Sequence, residues 1–304
     1  MRFPPLAGIP NLVVALVAVV GAGALCVAYG VFIERRWYRR RVYRLPVLPE
    51  GAHPLTILHV SDLHLLPSNR SLVSFLASLP PADVAVATGD LVGGPEAVEA
   101  AAAALRPIRG RLASYVVLGS NDYYAPQPLN YARYFLRERK PRKAIRGRAD
   151  DLVRLLERDG WQHLRNRKAS LASDGVRFEV VGLDDPHIGR QDLRVAARSD
   201  DGAVGLAIVH SPDPAPELAA LGYELIVAGH THGGQVRLPV VGALVTNGQL
   251  PTRIAMGLSS IPPALMHVSP GLGTSRYAPF RFLCRPEATI LELRARPSAE
   301  AAHA

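Results

Sequence analysis

Short apolar runs that stop abruptly in polar residues recur along the chain from residue 55 onward. Leu55-Thr56-Ile57-Leu58-His59-Val60 runs into Ser61-Asp62-Leu63-His64, Val84-Ala85-Val86-Ala87 into Thr88-Gly89-Asp90, and Tyr115-Val116-Val117-Leu118 into Gly119-Ser120-Asn121-Asp122. Gly205-Leu206-Ala207-Ile208-Val209 runs into His210-Ser211-Pro212-Asp213, and Leu225-Ile226-Val227-Ala228 into Gly229-His230-Thr231-His232. Residues 178–183 and 288–293 are further apolar runs. Continuous rather than alternating apolar positions predict strands covered on both faces. Three stretches between them predict helices: 71–79 by apolar spacing, 96–105 by its alanines after Pro95, and 150–159, which Gly160 stops. Strand-helix alternation predicts an α/β architecture, in which ligands gather beyond the carboxyl ends of strands. Every polar cluster named above falls there.

The amino-terminal part follows a different pattern. From Leu12 to Ile33, twenty-two residues carry no charge, and as a helix at about 1.5 Å per residue they would cover roughly 33 Å, a bilayer core. The pattern predicts a short tail (1–10), a transmembrane helix (11–33), a basic juxtamembrane segment and linker (34–54), a folded domain (55–294) and a disordered tail (295–304). A cleaved signal peptide fits less well, because the apolar run is long and the positive charge follows it. Six arginines follow the helix within residues 34–44 and one precedes it. That asymmetry predicts a single-pass protein of the cell membrane with its domain on the cytoplasmic side.

The 304 residues are 48% apolar and 20% charged, which excludes a wholly disordered or collagen-like chain. Two cysteines supply neither a disulfide framework nor a cysteine-ligated zinc module. The formal charge of +9 is local: residues 34–44 carry +5, residues 133–168 carry +8 and Arg2 adds one, so the remainder is −5. Segment 133–168 reads as a basic, solvated helical insertion, and no nucleic-acid partner is expected from it. A nucleic-acid phosphodiesterase stands as an alternative resting on this patch alone.

The polar clusters carry the chemistry. Asp62 and His64 lie two apart at a strand end, where alternate side chains share a side, and His230 and His232 repeat that spacing. Asp90 adds a carboxylate and His210 an imidazole. Mixed carboxylate and imidazole donors suit manganese, iron, zinc or cobalt more than an all-oxygen magnesium or calcium cage. Six donors exceed one open tetrahedral site and suit two divalent ions sharing a carboxylate, an arrangement that serves displacement at phosphorus.

This ordered set resembles the calcineurin-like metallophosphoesterases, whose motifs run Asp-x-His, Gly-Asp, Gly-Asn-His-Asp, His and Gly-His-x-His. The resemblance covers about residues 55–293 and is nearest to a bacterial membrane-associated branch. It implies two packed mixed β-sheets flanked by helices, and hydrolysis of phosphate mono- or diesters by metal-activated hydroxide. By matching position, Asp62, His64 and His232 would hold one metal, His210 and His230 the other, with Asp90 bridging. One motif departs: Gly119-Ser120-Asn121-Asp122 stands where Gly-Asn-His-Asp is usual. An ungapped match puts Ser120 on the ligand asparagine and Asn121 on the leaving-group histidine. A one-residue slip makes Asn121 the ligand and puts Asp122 at the histidine. The slip is favoured because an amide oxygen is the better ligand. Either way no imidazole is left there.

The substrate class stays open between a lipid-linked phosphoester and a soluble one. The missing imidazole keeps a second class in view, a membrane-attached metal-binding sensor or scaffold with weak catalysis. His59, inside a strand run, is expected in the core. Asp184, Asp185 and His187 read as turn chemistry, with substrate contact as the alternative. Arg276 and Arg281 near a glycine-rich loop are given no role, and His53, His163, His267 and His303 have no identified partner.

Overall fold

The structure, a computed structural model, describes residues 9–128 and 144–297. Helix α1 (Ile9–Ala28) passes through one wide turn, Tyr29–Ile33, and a tight one, Glu34–Arg36, before the chain enters strand β1 (Arg39–Leu48). The helix's apolar side chains from Val13 to Val27 are exposed, so among the described residues no core packs against them.

Two six-stranded sheets form the domain. The first contains β1, β2 (Leu55–Val60), β3 (Val84–Thr88), β4 (Ala113–Val117), β5 (Gln162–His163) and β14 (Glu287–Ala295), in the order β1-β14-β2-β3-β4-β5. The second contains β6 (Arg167–Ser173), β7 (Val176–Gly182), β8 (Val204–Ile208), β9 (Leu225–Ala228), β12 (Gly257–Ile261) and β13 (Ala264–Val268), in the order β12-β13-β9-β8-β7-β6. A small hairpin, β10 (Arg237–Leu238) with β11 (Gly242–Ala243), stands apart. The sheets are mixed, as the resemblance implies: β2, β3 and β4 run parallel, as do β7, β8 and β9, while β14 is antiparallel to β2.

The continuous apolar runs are explained by burial on both faces. In β2, Ile57 points between the sheets with Val84, Val86, Leu206 and Val227. Leu58 and Val60 point outward beneath α2 (Arg70–Ala77), α3 (Val98–Leu105) and, after the short α4 (Ser120–Tyr123), α5 (Ala149–Arg158). Ala207, Ile226 and Met266 of the second sheet are covered by α6 (Ala215–Ala220).

Two parts of the sequence reading are revised. The segment read as a linker contains β1, a ten-residue strand paired in parallel with β14 from Arg39↔Glu287 onward. Its arginines are accommodated at a sheet edge by acids of the partner strand: Arg39 lies 2.7 Å from Glu287 and Arg44 3.1 Å from Glu292. The basic stretch is no appendage in its described part. Leu152 and Leu156 of α5 and the following Trp161 are buried in the core, and β5 and β6 are edge strands of the two sheets. Residues 133–143 of that stretch, and the tail from 298, lie outside the described residues.

The register also fixes which end of the sandwich meets the helix. Arg39, just after the helix end, pairs with Glu287 at the start of β14, and Thr289 two residues on pairs with His59 near the end of β2. The carboxyl end of β2 and the exit of α1 therefore share one end of the domain.

Candidate metal centre

At that end the loops after β2, β3, β4, β8 and β9 converge and bring together all seven residues expected as ligands. Nε2 of His64 lies 3.1 Å from Nε2 of His232 and 3.6 Å from Asp90 Oδ2. Nε2 of His210 lies 3.6 Å from Asp90 Oδ1, and Nδ1 of His230 is 3.3 Å from that same His210 nitrogen. Asp62 Oδ1 sits 3.5 Å from His232 Nε2. Donor atoms of Asp62, His64 and His232 fall within 4.8 Å of one another, and so do those of Asp62, Asp90 and His210. Two overlapping donor sets thus lie side by side. Asp62 is common to both by this measure, while Asp90 turns one oxygen toward His64 and the other toward His210.

The backbone is bent to achieve this. Asp62, His64, Asp90, His230 and His232 all have φ between 38° and 69°, a left-handed region that costs a non-glycine residue of order 1–3 kcal/mol. Such strain, concentrated in five residues of one cluster, is held by hydrogen bonding around it. The Asp62 amide donates to Gly89 and the His64 amide to Asp90, locking the β2 and β3 loops together. Gly119 is required by close approach, since a Cβ there would lie 2.3 Å from Asp90 Oδ1.

Neighbouring groups set the orientation of the donors. Asp62 Oδ2 accepts from Ser61 Oγ at 2.6 Å and from the His230 amide at 3.0 Å. Its Oδ1 is buried with no hydrogen-bond partner and faces the imidazoles. An orphaned buried carboxylate oxygen is costly unless a cation or donor satisfies it. Nδ1 of His210 meets the Thr88 carbonyl at 2.6 Å, and a carbonyl only accepts, so that nitrogen carries a proton and Nε2 is the one turned to the cluster. Burial opposes charge on His210, yet Asp90, Asp185 and Asp62 outweigh it and raise its pKa to about 9. The cluster therefore draws in positive charge, and its mixed oxygen and nitrogen donors fit divalent cations.

The departing motif packs against Asp90. The Asn121 amide nitrogen donates to Asp90 Oδ1 at 2.8 Å, and its side chain meets Asp90 Oδ2 at 2.5 Å. Asp122 is fully buried and faces main chain: Oδ1 accepts from Leu91 and Val92, and Oδ2 from Gly119. Burial, then Asp90, push its carboxyl up to about 7, while the Gly119 and Val92 amides pull the other way. Both Asp122 oxygens are thus engaged by main-chain amides that hold the Asp90 loop.

Several residues given other roles, or none, also support the site. Arg281 is fully buried, donates to the carbonyls of Pro270, Gly271 and Gly273, and comes within 3.5 Å of His232 Nδ1, so it braces a ligand loop. Arg276 pairs with Glu96 at 2.8 Å. Asp184 is held by Tyr123, Arg165 and Arg190, Asp185 Oδ1 accepts the His187 amide, and the exposed His187 ring lies 4.4 Å from that of His230. The Asp-Asp-Pro-His sequence after a buried strand was the available signal. His59 is buried, as expected, and pairs with His267 at 2.9 Å and with Thr88.

A two-sheet α/β sandwich whose strand ends converge on buried carboxylate and imidazole donors defines a metal-dependent hydrolase of phosphoesters. The sequence profile of the calcineurin-like phosphoesterases matches residues 55–234, and the chain belongs to that family. It is 26% identical to the uncharacterized metallophosphoesterase YkuE of Bacillus subtilis, over 82% of each chain. It is 26% identical to the phosphodiesterase YaeI of Escherichia coli, over 86% of this chain and 90% of that one. It is also 26% identical to the UDP-2,3-diacylglucosamine pyrophosphatase LpxG of Chlamydia muridarum, over 91% and 96%.

Proposed function

We propose that the chain is a membrane-anchored phosphoesterase working with two divalent ions, from the manganese, iron, zinc and cobalt group, at a site facing the bilayer. The observation that carries the reading is the pair of overlapping donor sets, with Asp62 Oδ1 left without a hydrogen-bond partner. Asp62, His64 and His232 would hold one ion and His210 and His230 the other, with Asp90 between them. Asn121 joins the second set if its amide turns its oxygen toward the space beside Asp90. Bound ions of this kind supply a nucleophile from water at neutral pH and positive charge against that developing at phosphorus. The chain's own work is positional. Ser61 and the His230 amide fix Asp62, the Thr88 carbonyl fixes the His210 tautomer, and Asp122 holds the Asp90 loop.

Two further observations favour an interfacial, lipid-linked substrate. The site and the exit of the apolar helix share one end of the sandwich. A cleft of about 130 Å³ joins them, walled by Arg35, Arg36, Tyr38, His64, Thr274 and Arg276. Arginines beside a phosphoryl site suit a substrate with more than one anionic group, and the similarity to a protein named for a diacylglucosamine pyrophosphatase agrees. Arg35, Arg36 and Arg40 after the helix, against Arg2 before it, support a cytoplasmic side for this end.

Metal analysis of the full chain in detergent, with turnover of soluble and phospholipid-like phosphodiesters measured in the same micelles, tests the reading. Two equivalents of a divalent metal and preference for the lipid-like ester are expected. A loaded chain inert toward an activated aryl diester would instead support the metal-binding scaffold that the missing imidazole motivates.

A further inference from the structure

We propose that the β10–β11 hairpin is a second membrane contact, which inserts its apolar tip into the bilayer that α1 spans; this rests on the membrane-anchored reading above. Between residues 238 and 245, Leu238, Val240, Val241, Leu244 and Val245 are 41% to 108% exposed, with Val240 at the upper end. A turn in water is ordinarily built from Gly, Pro, Asn, Asp or Ser, a set that covers Pro239 and Gly242 here but not the two valines between them. Here the tip reads Pro239-Val240-Val241-Gly242, and Val240 adopts φ 66°, a conformation that penalises a β-branched residue. Turn formation therefore does not explain the valines. An exposed contiguous apolar patch of this kind marks an interaction surface.

A lipid surface is the occupant indicated by position. The hairpin follows the Gly229–Gln235 loop and so emerges from the end of the sandwich where α1 leaves. Val236 bridges to Phe282, and the Arg237 amide donates to the Phe282 carbonyl at 2.9 Å. The Phe282 ring packs edge-on against Tyr29 at 6.3 Å, and Phe32 and Ile33 beside it are exposed. The apolar surface of the helix end thus continues through Phe282 to the hairpin. Two contacts, unlike one helix, fix the tilt of the domain and hold the metal centre toward the headgroups.

The test places one tryptophan at a time in the full, metal-loaded chain in phosphatidylcholine–phosphatidylglycerol vesicles. Val240→Trp and Leu244→Trp probe the hairpin. Leu112→Trp, exposed at the start of β4 and so at the opposite end, is the aqueous control. With acyl-chain-brominated lipid, the added hairpin emission is expected to be quenched and to resist acrylamide, while the Leu112→Trp emission behaves in reverse. Hairpin tryptophans that match the Leu112→Trp control overturn the proposal. In the parent chain, whose other tryptophan, Trp161, is buried in the core, quenching by brominated lipid reports on Trp37 at the helix end and so on the anchor. Quenched Trp37 with unquenched hairpin probes rejects the hairpin contact alone, whereas loss of both rejects the membrane-anchored reading with it.

Discussion

Glu34 accepts the main-chain amides of Leu283 and Cys284, one with each carboxylate oxygen, the former at 2.9 Å. It is the first charged residue after the apolar helix, and it is buried. Cys284 Sγ in turn lies 3.2 Å from the His232 carbonyl, and Gly30 sits against Phe280 and Arg281 so closely that a Cβ would overlap both. The helix end is therefore part of the loop system that holds His232. Glu34→Ala would strand the buried Cys284 amide, at about 1–3 kcal/mol, and release the partly exposed Leu283 amide. A lower melting temperature and lower metal content are expected, with Glu34→Gln falling between, by thermal unfolding and elemental analysis of the detergent-solubilised chain. An unchanged metal content in Glu34→Ala would sever this link.

Asp122 makes a separate prediction. Three main-chain amides converge on its carboxylate, so Asp122→Ala should cost about 2 kcal/mol or more of stability and loosen the loop carrying Asp90. The expected signature is metal loss at normal assay concentrations, with activity partly rescued by excess metal. A chemical acid would not be replaced by metal, so activity that stays lost at saturating metal would restore the acid role to Asp122.

The sequence exposed some of this and hid the rest for identifiable reasons. The strands β2, β3, β4, β8 and β9 were legible because burial on both faces leaves unbroken apolar runs, and the ligands were legible because they directly follow those runs. Strand β1 was not, because Arg39, Arg41 and Arg44 look like a membrane flank until paired with Glu287 and Glu292, 248 residues away in the hydrogen-bonded pairs. Neither Arg281 nor Glu34 could be assigned from pattern. Their partners are main-chain groups, within 11 residues for Arg281 and 249 or 250 residues away for Glu34, and main-chain groups leave no mark on residue type. The left-handed backbone at five cluster residues is only hinted at, since Asp and His tolerate positive φ better than most residues but do not require it.

The His59 and His267 pair gives a stability prediction with a definite sign. Both are fully buried, and burial lowers His59 to about 3 and His267 well below its ordinary value. The unfolded chain binds their protons near pH 6.5 and the folded chain does not, so their contribution is complete above pH 6.5 and is lost as pH falls below it. Each residue should add a slope of up to about 1.4 kcal/mol per pH unit. Denaturant unfolding of His267→Leu at fixed metal, between pH 7.5 and 5, should show a slope shallower by about one proton than the parent. The metal-binding histidines contribute to both chains and cancel in the comparison. Identical slopes would mean that His267 is protonated in the folded state.

The missing imidazole can be put back. Asp122 occupies the helix-capping position whichever way the motif is aligned, and it is Asn121 whose main chain and side chain both touch Asp90. The double variant S120N/N121H keeps an amide in the segment and adds an imidazole beside the cluster. General acid catalysis contributes typically about 10²–10⁴-fold, and its benefit depends on the leaving group. Alkyl phosphodiesters, whose alkoxide departs poorly, should gain by about one to four orders of magnitude, whereas aryl esters, which depart unaided, should change little. Metal content should be retained, which separates a chemical gain from a repaired site. Equal gains on both ester classes would show that the substitutions improved metal binding and not proton delivery. No gain on the alkyl ester would mean that another group near the cluster already protonates the leaving oxygen, with the exposed His187 beside His230 as the first residue to replace.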